Sequence, residues 1–515
     1  MKYYYKSLLL FFTIFFFYLI FLPSAHFPSD TLYSLETAKS ISKGKLSVLP
    51  DEKLPNLAVG REGRFYSKYG LGYALIFLPA ALISRIITSE PASEYVFIAL
   101  ASFTNTIAAT VIIFCFVILF RKFGYSGKVV YFSALSIAIA SVLLPYSKIN
   151  HTEIPSTALL MIFFVLYSDS SRPGIRRLMA MGTIASLLIL LKIGNIVYFM
   201  TILGSGLFII LKDKWSFRKI ISFSGVPLIT VTFMLFFNYY RFSDPFNFGY
   251  GSEQKMFVTP VYIGLTGLLF SPSKSLFLFS PLVIPSVIGL AKCLKKSLFT
   301  VISAAIMIIG NICFYARWHD WHGGWSWGPR LIVPSIILLH MFLPEFIAAF
   351  RRNRFAILTY VILFSSAIYV NILGTSVWYQ QIYYFHHDYN SVKNSHVVIA
   401  TKIFLHKISN DDEMYNCKYF NCDCTTGHFK ELWGDLVEES NSINFNKYET
   451  FRGFAFPWST LKRNFQIDYL WIIPCILAIL SAIGSILLWK MSAGEKGSPQ
   501  RKSFIWITQI IVSSQ

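Results

Sequence analysis

The sequence predicts an all-α polytopic membrane protein: a bundle of about 12 transmembrane helices of roughly 20 apolar residues each, with one further helix lying on the membrane surface in the first outer loop. Three observations predict it. Of 515 residues, 55% are apolar and only 14% charged, at a mean hydropathy of +0.54. A soluble protein carries roughly 25% charged residues and could not hide this much apolar surface behind so few ions. The apolar residues gather into long runs, and the basic residues sit in alternate short loops between them. This composition excludes a disordered chain, a collagen and a small disulfide scaffold. A net charge of +20 would hint at nucleic acid in a soluble protein. Here it reports topology, and no nucleic-acid partner is expected.

The spans are read at 7–22, 95–120, 129–146, 154–168, 177–193, 195–211, 219–238, 275–291, 298–315, 330–350, 354–373 and 467–490. The first is taken as uncleaved, because Pro23 occupies the −3 position of the cleavage site near Ala25. The run at 70–88 follows Tyr69, carries Pro79 and Arg85, and is assigned to the membrane surface. Charge supports that choice. With Lys2 and Lys6 cytoplasmic, the alternate loops hold Arg121/Lys122/Lys128, Arg172/Arg176/Arg177, Lys212/Lys214/Arg218/Lys219, Lys292/Lys295/Lys296, Arg351/Arg352/Arg354 and Lys490/Lys496/Arg501/Lys502. Every one is basic, as the positive-inside rule requires. Counting 70–88 as a span would move them all outside.

The chain then divides into a membrane region, 1–373, an extracytoplasmic soluble segment, 374–466, a last helix, 467–490, and a cytoplasmic tail, 491–515. The outer face also receives 23–94, 147–153, 239–274 and 316–329. Cys417, Cys422 and Cys424 lie in the soluble segment, where an oxidising compartment permits one disulfide. Their spacing does not resemble a zinc ribbon. Cys115, Cys293, Cys313 and Cys475 fall in or near spans and are read as packing residues.

The outer loops carry the candidate chemistry. Asp30 opens a helical run after Pro28; it suits a helix cap, and equally a general base just outside the membrane. Arg64 and Lys68 stand among aromatics directly before the surface helix, as interfacial anchors or as a clamp for a lipid phosphate. Lys148, His151 and Glu153 crowd a very short connector, where ionisable groups are costly and usually have a purpose. Lys192 either snorkels or reaches a phosphate, and Arg241 sits in the next outer loop. The segment Arg317–Arg330 packs Trp318, His319, Trp321, His322, Trp325 and Trp327 with two glycines. His319 and His322 make a poor metal pair, because Asp320 does not complete a helical ligand face. One face therefore gathers carboxylates for proton abstraction, cations for phosphate and aromatic faces for sugar rings. The combination suggests chemistry on a phosphate-linked sugar.

Several motifs, in this order on one face, resemble the GT-C membrane glycosyltransferases, especially the protein O-mannosyltransferase and lipid A aminoarabinose transferase branch. They are Asp30 through Ala38, Lys68-Tyr69-Gly70-Leu71-Gly72 to Pro79, Pro145-Tyr146-Ser147 to Glu153, Gly267 to Pro272, and Gly323-Gly324-Trp325-Ser326-Trp327-Gly328-Pro329-Arg330. The resemblance covers about residues 1–375. Thr31 follows Asp30 where many relatives carry Glu. The resemblance implies a GT-C-like bundle and inverting transfer from a polyprenyl-phosphate sugar, without an essential metal or other cofactor.

The expected activity is transfer of that sugar to a hydroxyl of a glycan, lipid or protein, at the outer face of a bacterial inner membrane. Asp30 is the expected base. Glu153 with His151 would orient or assist the acceptor. Lys68, Lys192, Arg241 and Arg330 would stabilise the departing phosphate. Tyr69, Lys148 and His319 are further substrate-binding candidates, and Trp325 and Trp327 would line the sugar or lipid path. The rivals are a transporter or flippase of lipid-linked sugars, with polar groups near the midplane and often inverted repeats, and an inactive glycan-binding relative.

Overall fold

The computed structural model describes residues 2–22, 29–51, 54, 56–89, 92–168, 173–213, 216–251, 255–294, 297–377, 379, 390–393, 395–409, 415–416, 442–443 and 472–492. In chain order, α1 (Lys2–Leu19) is followed by α2 (Ser29–Ser42) and a two-residue hairpin, β1 (Ala58–Val59) against β2 (Phe65–Tyr66). Next come α3 (Leu71–Ile87), α4 (Ala92–Lys122), α5 (Gly127–Ile139), α6 (Leu143–Lys148), α7 (Glu153–Tyr167), α8 (Ile175–Leu191), α9 (Ile196–Lys212) and α10 (Phe217–Phe242). The second half holds α11 (Val261–Phe270), α12 (Leu276–Phe279), α13 (Val283–Cys293), α14 (Leu298–Ala316), α15 (Val333–Leu339), α16 (Leu343–Phe350), α17 (Arg354–Ser376), α18 (His396–Ser409) and α19 (Ile472–Ser492). A second strand pair, β3 (Tyr415–Asn416) and β4 (Ser442–Ile443), lies between the last two helices. Cys417, Cys422 and Cys424, with most of the 374–466 segment, fall outside the described residues.

The protein is all-α and multi-pass. Among the described residues seven helices are long and apolar enough to cross a membrane, and further apolar helices are shorter. Large apolar side chains such as Leu228, Ile229 and Phe236 on α10 and Ile306 and Ile309 on α14 are exposed. Water would not tolerate such a surface, and lipid does. The core is built from the buried faces of α4, α7, α8 and α15.

Three expected spans are broken, each about one turn before a proline. The 129–146 run divides between α5 and α6 at 140–142, ahead of Pro145. The 275–291 run divides at 280–282, ahead of Pro285, and 330–350 tightens into a 3-10 turn at His340–Phe342, ahead of Pro344. A proline ring clashes with the carbonyl four residues back and removes one helical hydrogen bond. Pro79 and Pro227 nevertheless sit inside continuous helices.

α3, the expected surface helix, buries Tyr73, Ala74, Phe77, Ala81 and Ser84 against α2, α4 and α8 and exposes Leu82, Ile83, Ile86 and Ile87. Its start lies hard against the end of α8. A side chain at Gly70 would come within 2.4 Å of the Leu190 carbonyl, so only glycine permits the approach.

Candidate active site

Asp30 lies in the first turn of α2, where the helix dipole favours a carboxylate. The next residue, Thr31, donates its hydroxyl to the Asn150 carbonyl and pins α2 to the connector between α6 and α7. That connector is irregular backbone, buried inside protein. The Asn105 amide of α4 donates to the carbonyls of Ile149 at 2.5 Å, His151 at 3.1 Å and Tyr146 at 3.3 Å. Its acceptors are thereby satisfied without water. The connector delivers Glu153 to the start of α7.

Arg330 joins the two carboxylates. Its Nη2 donates to Asp30 Oδ2, and its Nε lies 3.4 Å from Glu153 Oε1. Lys192, at the end of α8, donates to the same Glu153 oxygen at 2.9 Å. The Tyr69 hydroxyl donates to Asp30 Oδ1 at 2.8 Å. Five side chains from distant segments thus form one chain: Tyr69, Asp30, Arg330, Glu153, Lys192. Two anions and two cations cancel within it. Glu153 is buried, whereas the Asp30 side chain keeps 27% exposure. The second carboxylate, which Thr31 does not supply, comes from Glu153 through Arg330.

Burial alone would raise the Asp30 carboxyl, but its neighbours together, the Arg330 guanidinium foremost and the Tyr69 hydroxyl among them, outweigh it and hold the group at about 2. Burial, reinforced by Arg330, pushes the His151 imidazole down to about 3, so it is neutral at pH 7. Neither His151 ring nitrogen has a hydrogen-bond partner among the described residues. Burial and the Asp30 charge raise the Tyr69 phenol, which therefore stays a donor.

Beside this network lies a small, half-open pocket lined by Lys68, Tyr69, Arg241 and Tyr250 together with Ile189, Leu190, Phe233, Met234 and Phe237. α10 contributes Phe233 and Phe237 and then Arg241, so its apolar and cationic contributions are separated along the axis by up to ~12 Å at ~1.5 Å per residue. Arg241 is 7% exposed and donates to the Ser67 carbonyl at 2.9 Å and to Asn238 Oδ1 at 2.7 Å. It has no carboxylate partner among the described residues, and its Nε is buried without a hydrogen bond. Tyr69 belongs to both the pocket and the Asp30 network.

No family model and no curated protein matches the chain. The structure is similar to ArnT from Cupriavidus metallidurans bound to undecaprenyl phosphate, at 12% identity and a TM-score of 0.44, over 96% of this chain and 78% of that one. It is similar to the same protein in the apo state over 93% and 75% of the two chains, again at 12% identity and a TM-score of 0.44. A third similarity is to the archaeal oligosaccharyltransferase AglB from Archaeoglobus fulgidus in complex with an inhibitory peptide and a dolichol-phosphate. It has 12% identity and a TM-score of 0.44 and covers 74% of this chain and 58% of that one. Likeness at this level assigns no residue a role.

The remaining sequence candidates are placed differently. Lys148 is buried and donates to the Thr375 carbonyl at 2.9 Å, tying α6 to α17. Trp327 is fully buried against Phe279 and Tyr379, and its carbonyl accepts from the Tyr146 hydroxyl. It is a packing residue rather than the lining of an open path, as its apolar ring would suggest in so crowded a loop. The His319 ring lies on Trp318, and the His319 backbone N–H donates to the Met256 carbonyl, outside the carboxylate network. Trp325 is exposed. His322 pairs with Asp320 at 2.7 Å, and no cluster of three or more potential metal-ligating side chains occurs among the described residues.

Sequence reasoning passed over Lys274. Its fully buried ammonium donates to the carbonyls of Gly324 and Ser326 at 2.9 and 2.8 Å. A buried cation is costly, and here it braces the turn that leads to Arg330. The one signal was a lysine in a loop of serines and prolines. Tyr250 was also passed over, being one tyrosine among many.

Proposed function

We propose that the protein is a GT-C-type inverting glycosyltransferase that moves a sugar from a polyprenyl monophosphate to an acceptor hydroxyl of a glycan, lipid or protein. The observation that carries this is the pocket itself: apolar walls, Lys68 and Arg241 for an anionic head, and Tyr69 linking that head to Asp30. A lipid phosphate has the same two-part chemistry. Lys192 and Arg330 bind Glu153 and Asp30, whereas Lys68 and Arg241 line the pocket beside the apolar walls, and the reading gives the lipid phosphate to these two.

In the reaction the acceptor oxygen attacks the anomeric carbon opposite the phosphate. The carbon–oxygen bond to phosphate breaks, and the polyprenyl phosphate leaves with the bonding pair. Lys68 and Arg241 stabilise the charge that develops there. Asp30 takes the hydroxyl proton. A carboxylate held near 2 is a weak base, so the proton moves late, once bonding to the anomeric carbon has acidified the hydroxyl. Glu153 keeps Arg330 and Lys192 in register, and the buried His151 imidazole stays neutral among these charges. A transporter would need its polar groups near the midplane. Here they cluster at one end of α7: Glu153 opens the helix, and the basic loop residue Lys122 binds the Val165 carbonyl ~18 Å further along it at ~1.5 Å per residue. Basic loops mark the cytoplasmic side, which supports reading the site at the outer face of the membrane.

Three measurements check this. Cysteines substituted beside Asp30, Glu153, Arg241 and His319 are expected to label from outside intact cells; labelling of positions near 30 and 153 from opposite sides would refute a shared site. Transfer is expected to survive EDTA and to prefer a monophosphate donor, because two cations suffice for a monophosphate leaving group. Arg241→Gln is expected to raise the donor KM by roughly 10–100-fold, the value of a charge-assisted hydrogen bond. Loss of activity with EDTA and rescue by Mg²⁺, or strict use of a diphosphate donor, would sink the assignment.

A further inference from the structure

We propose that Tyr250 is a positioning residue for the donor phosphate, holding the Lys68 ammonium between its own ring and that of Tyr69. The role builds on the lipid-phosphate pocket proposed above. Lys68 Nζ lies 5.6 Å from the Tyr69 ring centroid and 5.8 Å from that of Tyr250. The two rings meet edge to face, 6.5 Å apart at 83°. A cation over an aromatic face is attracted by the ring quadrupole, and two such faces restrict where a flexible four-carbon stem can place its charge. Restricting it beforehand removes part of the ordering loss on binding a phosphate.

Each ring is itself fixed. Tyr69 is held through its hydroxyl on Asp30. Tyr250 arrives from the segment between α10 and α11, which is tied to α10 at one point and braced internally at another. The Asn238 amide donates to the Pro245 carbonyl at 3.1 Å, and the Gly249 N–H donates to Asn247 Oδ1 at 2.9 Å. Gly249 has a φ of +83°, and a Cβ there would lie 3.4 Å from Lys68 Cα and 3.1 Å from the Phe242 ring. Glycine therefore lets this backbone lie on Lys68 and hands the next ring to the ammonium. Asn238 also accepts from Arg241, so one segment is tied to both cations of the pocket.

The test uses full-length protein in nanodiscs with farnesyl monophosphate as probe. Tyr250→Leu is expected to weaken binding roughly 3–30-fold, while Tyr250→Phe stays within about 2-fold, because the ring and not the hydroxyl faces the cation. Acylation of Lys68 by an amine-reactive reagent, followed by peptide mass spectrometry, is expected to be several-fold faster in Tyr250→Leu than in the wild type or Tyr250→Phe. If the wild type binds the probe and Tyr250→Leu binds equally well, or Tyr250→Phe is as weak as Tyr250→Leu, the positioning role is overturned and the phosphate pocket stands. If the wild type fails to bind while Lys68 acylation still responds to Tyr250→Leu, the clamp exists but the phosphate reading, and the role built on it, falls.

Discussion

Asp30→Asn lowers the rate of sugar transfer about 10²–10⁴-fold, the usual contribution of a general base, with little change in donor affinity. Asparagine keeps the shape, and its one carbonyl oxygen can still accept from Arg330 while the bond from Tyr69 is lost, so the variant is expected to fold and insert. Near-normal transfer by a folded Asp30→Asn protein would demote Asp30 to a structural partner of α2. The pH profile carries a matching signature. Asp30 is held at about 2 and His151 at about 3, so neither titrates between about pH 5 and 8. Transfer is therefore flat across that window as far as these groups are concerned. It declines only in acid, as Asp30 becomes protonated and can no longer accept the hydroxyl proton.

Arg330→Met has the second large effect, on stability as well as rate. It leaves Asp30 and the buried Glu153 without their shared counter-ion, a loss that typically costs about 3–5 kcal/mol. Arg330→Lys keeps the charge but not the planar fork that reaches two carboxylates at once, so it recovers part of the stability and little of the transfer. Adding Asp30→Asn to Arg330→Met is expected to restore some of the lost stability, because the carboxylate that lost its counter-ion is gone while Glu153 keeps Lys192. Thermal unfolding of the three variants in detergent, read beside transfer rates, checks this ordering. Equal stability of wild type and Arg330→Met would mean that the bridge contributes nothing to the fold.

Much of this arrangement was legible before the structure. Apolar runs and alternating basic loops gave the helical elements and singled out α3 as different from its neighbours. Asp30, Tyr69, Glu153, Lys192 and Arg330 drew notice because ionisable or amphipathic groups beside a membrane are conspicuous, and the structure joins all five. The breaks ahead of Pro145, Pro285 and Pro344 were readable and missed, because a run of apolar residues reads as one span whether or not a proline interrupts its hydrogen bonds. How the four cations divide was not readable. Whether Arg330 meets a carboxylate or a ligand depends on contacts across 300 residues of sequence, and linear order does not record them. The same holds for Lys148, a charge in a short loop that turns inward to a carbonyl of α17, and for Trp327, whose neighbours Phe279 and Tyr379 come from other segments.

The central claim is that a sugar leaves a polyprenyl monophosphate for a hydroxyl under the action of Asp30. It is tested most directly by incubating the purified protein with a panel of polyprenyl-monophosphate sugars, radiolabelled in the sugar, and membrane extract as the source of acceptor. The label is expected to move from at least one lipid to an acceptor with inversion at the anomeric carbon, and to stay on the lipid when Asp30→Asn protein is used. Retention of label on every such lipid with the wild type, or equal transfer by wild type and Asp30→Asn, would contradict it.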